Sequence, residues 1–166
     1  EHLVSRGYRK IAYLIPFTWI LEQPDEPRWK AYREVCDEAG IKQRLIMQKT
    51  MRETRRAGME AGIELAARPK PDRPEALLCW NDVTAQGVLF GLRRSGIRVP
   101  EDMAIVGFDG LDESQCLDTR LTTVLCPSDE LCREALAMLF RRIAEGKSLP
   151  PQKAVIATRL ILGETT

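Results

Sequence analysis

Three short runs, Ile11–Ile15, Ala76–Trp80 and Met103–Val106, contain no charged residue and no apolar/polar alternation. A strand with one face in water alternates, so a run without alternation is buried on both faces. Only a sheet covered by helices on both sides offers that environment, and such sheets are parallel. Turn formers bracket each run: Pro100-Glu101-Asp102 precedes the third, and Gly107 and Gly110 follow it.

Helical periodicity fills the intervals. Arg28–Ala39 places Trp29, Tyr32, Val35, Cys36 and Ala39 on one face, with Gly40 past its end. Arg44–Gln48 reads as a strand, Thr54 as the N-cap of a helix reaching Ala67, and Pro69–Pro74 as a turn. Asn81-Asp82 leads into a helix that stops at Gly96, with Asp82 the expected cap. After the strand Met103–Val106 come a segment Asp112–Leu117, an extended stretch Leu121–Leu125, a helix Ser128–Glu145 and a closing strand Ala154–Leu162. Strands alternating with helices predict an α/β fold, a doubly wound parallel sheet.

In such a sheet the residues just past the strands' carboxyl ends share one edge, where ligands bind. Arg28 opens the helix after the first strand, Asn81 follows the third, and Asp109 follows the fourth. A guanidinium, an amide and a carboxylate together supply the donors and acceptors a hydroxyl-rich small molecule needs. Each also has a plainer reading: surface charge, helix cap, turn former.

Balance and motifs remove other classes. With 25 basic and 24 acidic residues there is no global field to attract nucleic acid or a membrane. No apolar run has transmembrane length and no signal-peptide pattern opens the chain, so a cytoplasmic protein is expected. Cysteines 36, 79, 116, 126 and 132 form no CxxC pair and read as reduced core thiols; the one histidine, His2, makes a metal site or a histidine-based triad improbable. No cofactor is expected. GxSxG, HExxH and dinucleotide motifs are absent, and Gly146-Lys147-Ser148 lacks the upstream glycine of a phosphate loop, which argues against an enzyme.

The stretches GYRKIAYL, RWKAYREVCDEAGI, CWNDVTAQGVLFGLRRSGIRVPEDMAIVGFDG and RLTTVLCP, in that order, resemble the effector-binding core of the lactose-repressor/galactose-repressor family of bacterial transcription regulators. The resemblance implies a periplasmic-binding-protein-like core of two lobes, with a sugar or nucleobase held between them. It also implies an N-terminal helix-turn-helix that reads operator DNA, and a homodimer or higher assembly. By position, Arg28, Asn81 and Asp109 match the family's effector-contacting residues. Departures concern the same cleft. Glu53 stands where the family usually has a stacking aromatic, Trp80 where a small residue is common, and Thr119-Arg120 where Pro-Pro is usual. Trp19, in the loop before Arg28, and Trp80 are further candidates for ligand contact, as is Glu53.

The resemblance begins partway into the family pattern. It implies that residues 1–120 are the second lobe, with the first helix belonging to the first lobe. Residues 121–150 would be a crossing strand and helix of the first lobe, and 151–166 a return to the second. The DNA-binding module and most of the first lobe then lie outside this sequence. A periplasmic sugar-binding protein is the rival of the same architecture. Leu131, Ala135, Met138, Leu139 and Ile143, widened by Leu136 and Phe140, form an apolar stripe on the helix Ser128–Glu145. Left uncovered, that stripe predicts self-association.

Overall fold

The structure, a computed structural model, describes residues 1–16, 22–23, 25–49, 55–146 and 149–166. Its elements are α1 (His2–Ser5), β1 (Ile11–Ile15), α2 (Pro27–Glu38), β2 (Leu45–Met47), α3 (Arg55–Ala67), β3 (Ala76–Cys79), α4 (Asp82–Arg94), β4 (Ala104–Asp109), α5 (Asp112–Gln115), β5 (Thr122–Leu125), α6 (Ser128–Glu145) and β6 (Arg159–Ile161). The six strands form one sheet in the order β2-β1-β3-β4-β5-β6. The first five are parallel. The expected doubly wound sheet is present.

The apolar runs are buried on both faces, as their lack of alternation requires. Ala12, Leu14, Leu77, Cys79 and Ile105 pack with Leu65, Ala85, Val88 and Leu92 of α3 and α4. Their neighbours Ile11, Tyr13, Ile15, Ala76 and Val106 pack on the other side with Leu3, Tyr32 and Cys36. Helices α3 and α4 meet backbone to backbone. A β-carbon on Gly58 or Gly62 would run into the carbonyls of Thr84 or Val88, and one on Gly87 or Gly91 into those of Arg55 or Met59.

Several expectations are corrected. Asp82 does not cap its own helix: Asn81 does, its side chain accepting the Thr84 N–H. Asp82 is instead fully buried and accepts four hydrogen bonds. Its Oδ2 takes Gly110 N–H at 3.1 Å, Leu111 N–H at 2.8 Å and the Ser114 hydroxyl at 2.9 Å; its Oδ1 takes the Thr123 hydroxyl at 2.6 Å. Gly107 lacks a side chain where that carboxylate sits, because a β-carbon there would collide with Oδ1.

Thr122–Leu125, within the extended stretch read from sequence, forms β5 and pairs with β4 from Val106↔Thr122 to Asp109↔Leu125. The chain departs only after Leu125. The closing strand is shorter than expected and antiparallel to β5, because the chain returns from α6 to the same end of the sheet. Only Cys36 and Cys79 are core thiols; Cys116 and Cys132 are exposed and Cys126 is partly buried. Apolar neighbours in sequence did not place those three inside, since Cys132 lies on α6, which has no buried residue.

Removing the Asp82 carboxylate strands two backbone N–H groups and two hydroxyls in a buried place, and each stranded group costs about 1–3 kcal/mol. Asp82→Ala is therefore expected to lower the unfolding free energy by at least ~3 kcal/mol. Urea denaturation measures it, with the slope of the transition unchanged.

Candidate functional site

Strand β2 lies to one side of β1 and β3 to the other, so the sheet changes winding direction between β1 and β3. The carboxyl edge at that switch point is the crevice an open α/β sheet offers a ligand. Arg28 stands in the first turn of α2, which follows β1, and Asn81 stands two residues past the end of β3. Asp109 ends β4, one strand further along. The three residues share one edge of the sheet.

Arg28 is held from several sides. Its Nε donates to Glu26 Oε1 at 3.1 Å and its Nη1 to the Trp80 carbonyl at 3.1 Å. Its Cζ lies 3.3 Å from the centroid of the Trp80 ring and 5.0 Å from that of Phe108. Glu26 has a second duty: as the N-cap of α2 it accepts the Trp29 N–H at 2.7 Å. Trp80 is 6% exposed, and its ring underlies the guanidinium.

Asn81 caps α4 through its side-chain oxygen, which accepts the Thr84 N–H at 2.9 Å. Asp109 has φ +116°, a region L residues rarely adopt, at a cost of about 1–3 kcal/mol. Two anchors hold it there. On one side its carbonyl accepts the Cys126 N–H at 3.0 Å. On the other, Asp82 grips the N–H groups of Gly110 and Leu111.

Burial pushes the Cys126 thiol up, the Asp109 carboxylate adds to that, and the Arg28 guanidinium pulls it down. Glu26 and Phe108 lie beside Arg28, and Cys126 beside Asp109; none of the three was singled out from sequence. Glu26 carried a legible signal, as an acidic residue before Pro27 at a helix start; the other two are set by strand pairing. Trp19 and Glu53 lie outside the described residues.

A cavity of about 450 Å³ includes Arg28 and Phe108 in its lining. Tyr13, Leu78, Val124 and Leu160 give it an apolar wall, so it does not match the polar ligand that the edge residues suit. Among the described residues no helix is long and apolar enough to cross a membrane, and no cluster of three His, Cys, Asp or Glu side chains is placed to hold a metal.

A family model described as a periplasmic binding protein-like domain matches residues 1–166. The chain is 32% identical over 152 residues to the HTH-type transcriptional regulator GntR of Escherichia coli K12, covering 90% of this chain and 43% of that protein. It is 36% identical over 110 residues to the HTH-type transcriptional repressor CytR of the same strain, covering 66% and 31%. The chain therefore spans less than half the length of these relatives. Among solved structures, a LacI family transcriptional regulator from Arthrobacter sp. FB24 in complex with lactose superposes with TM-score 0.81 at 31% identity, over 99% of this chain and 59% of that one. One from Enterococcus faecium with bound ribose gives TM-score 0.82 at 24% identity, covering 99% and 59%.

Thiol chemistry checks the placement of Cys126. In the folded chain Cys116 and Cys132 are expected to alkylate first. Cys126 should follow more slowly at neutral pH and speed up as the pH is raised, because its raised pKa keeps it protonated. Cys36 and Cys79 should label only on unfolding. Timed alkylation with peptide mass mapping reads the order.

Proposed function

Because this chain belongs to the periplasmic binding protein-like domain family, we propose that it is the effector-binding part of a cytoplasmic bacterial transcription regulator. It senses a sugar or related polar metabolite in a cleft between two lobes and couples that binding to operator DNA through a module outside this sequence. The observation that carries the reading is the gathering of Arg28, Asn81 and Asp109 on one edge at the sheet's switch point. Such an edge binds ligands without needing catalytic chemistry. The curated relatives named above are transcriptional regulators, which favours this reading over a transporter's binding protein.

In this reading the described sheet is the second lobe, and α6 is an outpost of the first. The helix accords with that role. Leu131, Leu136, Leu139, Phe140 and Ile143 are each more than half exposed, so the stripe awaits a partner.

In the intact regulator Arg28 and Asp109 bind the effector through charge-assisted hydrogen bonds. Arg28→Ala and Asp109→Asn are each expected to weaken binding by about 1–3 kcal/mol or more, because each leaves a polar partner unpaired. Calorimetry with lactose, ribose and glucose measures this; unchanged affinity in both variants removes the site.

The 166-residue chain by itself is expected to self-associate through α6, since each large apolar side chain it covers is worth about 1.5–3 kcal/mol. Light scattering at micromolar concentration should find a dimer or larger species, and Leu139→Asp should shift it toward monomer. A monodisperse wild-type monomer refutes the association.

A further inference from the structure

Hydrogen bonds run end to end from the surface to the buried carboxylate behind the ligand edge. Arg55, exposed at the start of α3, donates its Nε–H to Gln86 Oε1 at 2.7 Å. Gln86, nearly buried on α4, donates from Nε2 to the Ser114 hydroxyl oxygen at 2.9 Å. Ser114, fully buried on α5, donates its own proton to Asp82 Oδ2 at 2.9 Å. That oxygen also accepts the N–H groups of Gly110 and Leu111, the two residues after Asp109. The line thus joins three helices to the loop that begins at the residue with positive φ.

The chemistry of the two ends fixes the direction of every bond between them. A guanidinium can only donate, and a carboxylate can only accept. Gln86 must therefore turn its oxygen to Arg55 and its NH2 to Ser114. A serine hydroxyl has a single proton, and Ser114, already accepting from Gln86, gives that proton to Asp82. A glutamine facing no cation is under no such constraint: turned over, its oxygen would compete for the same proton. Bonds aligned head to tail also polarise one another, so they strengthen or weaken together. The four donors on Asp82 are neutral groups, and one of them, the Ser114 hydroxyl, leads to a cation.

We propose that Arg55 is a positioning residue for the ligand edge, acting from the surface through Gln86 and Ser114 on Asp82, and so on the loop that seats Asp109. A change at the exposed start of α3 is then felt at the edge. Ligand bound at the edge is likewise felt at α3, because coupling between two sites is reciprocal. The second of these statements rests on the effector-site reading above; the first does not.

Proton–nitrogen NMR of the 166-residue chain tests this, comparing wild type with Arg55→Met, Arg55→Lys and Gln86→Leu. Arg55 is exposed, so its substitution leaves the core intact. Arg55→Met keeps the aliphatic stem and removes the cation. The side-chain NH2 signals of Gln86 and the amide signals of Gly110 and Leu111 should all shift, while the amides of β1 and β3 stay in place. Arg55→Lys keeps a charged donor for Gln86 and should return these signals most of the way. Gln86→Leu should move Gly110 and Leu111, and adding Arg55→Met to it should move them no further. Ribose added to wild type should shift Gly110, Leu111 and, at the far end of the line, the Gln86 NH2 group. Arg55→Met should raise the ribose midpoint.

Gly110 and Leu111 signals that coincide in wild type and Arg55→Met overturn the positioning role, whatever the other variants do. So does an Arg55→Lys spectrum that matches Arg55→Met, or further movement when Arg55→Met is added to Gln86→Leu. Ribose that shifts Gly110 and Leu111 but not Gln86, or an unchanged midpoint in Arg55→Met, overturns the coupling to the surface. If neither ribose nor glucose shifts any of these signals in wild type, the effector reading fails, while the ligand-free spectra still decide the role of Arg55.

Discussion

A single buried carboxylate ties together the elements that make the edge of this sheet. Asp82 belongs to the first turn of α4, yet its four donors come from the loop after β4, from α5 and from β5. A buried carboxylate is tolerable only when its lone pairs are engaged, and here two N–H groups and two hydroxyls engage them. The arrangement dictates the sequence around it. Position 107 must lack a β-carbon, and positions 114 and 123 must carry hydroxyls. Gly110 and Leu111 must turn their N–H groups inward, which forces the preceding residue, Asp109, to a positive φ. The geometry of the candidate site is thus set by a residue that need not touch the ligand.

Much of this architecture was legible because two-sided burial leaves an unmistakable mark. Ile11–Ile15, Ala76–Cys79 and Ala104–Val106 are strands where uninterrupted apolar runs said they would be, and the parallel sheet follows from them. The sharing of one edge by Arg28, Asn81 and Asp109 was equally readable, since it needs only strand polarity. The roles of Asn81 and Asp82 were not. Two adjacent polar residues at a helix start give the same local signal, and what separates them is a set of donors 28 to 41 residues away. The stacking of Arg28 on Trp80 spans 52 residues and leaves no periodic trace. Strand β6 was misjudged in length and direction because its three residues are half-exposed at the sheet's margin, where burial imposes little pattern.

The two faces of the sheet are built on opposite principles. On one, α3 and α4 approach so closely that four glycines replace side chains, and the layer is rigid because no rotamer intervenes. On the other, four aromatic rings, Tyr13, Trp29, Tyr32 and Trp80, stack at 5.5–6.3 Å and carry the packing from β1 to the edge of the crevice. Arg28 continues that stack. A cation so placed is fixed by dispersion and quadrupole forces as well as by hydrogen bonds.

The departure and return of the chain around α6 have a mechanical meaning. β5 ends and β6 begins at the same end of the sheet, with Leu125 opposite Arg159, so α6 is suspended from two adjacent cords rather than one. The backbone bond beside the departure point runs from the Cys126 N–H to the carbonyl of Asp109, so the link between α6 and the sheet begins against the residue with the positive φ.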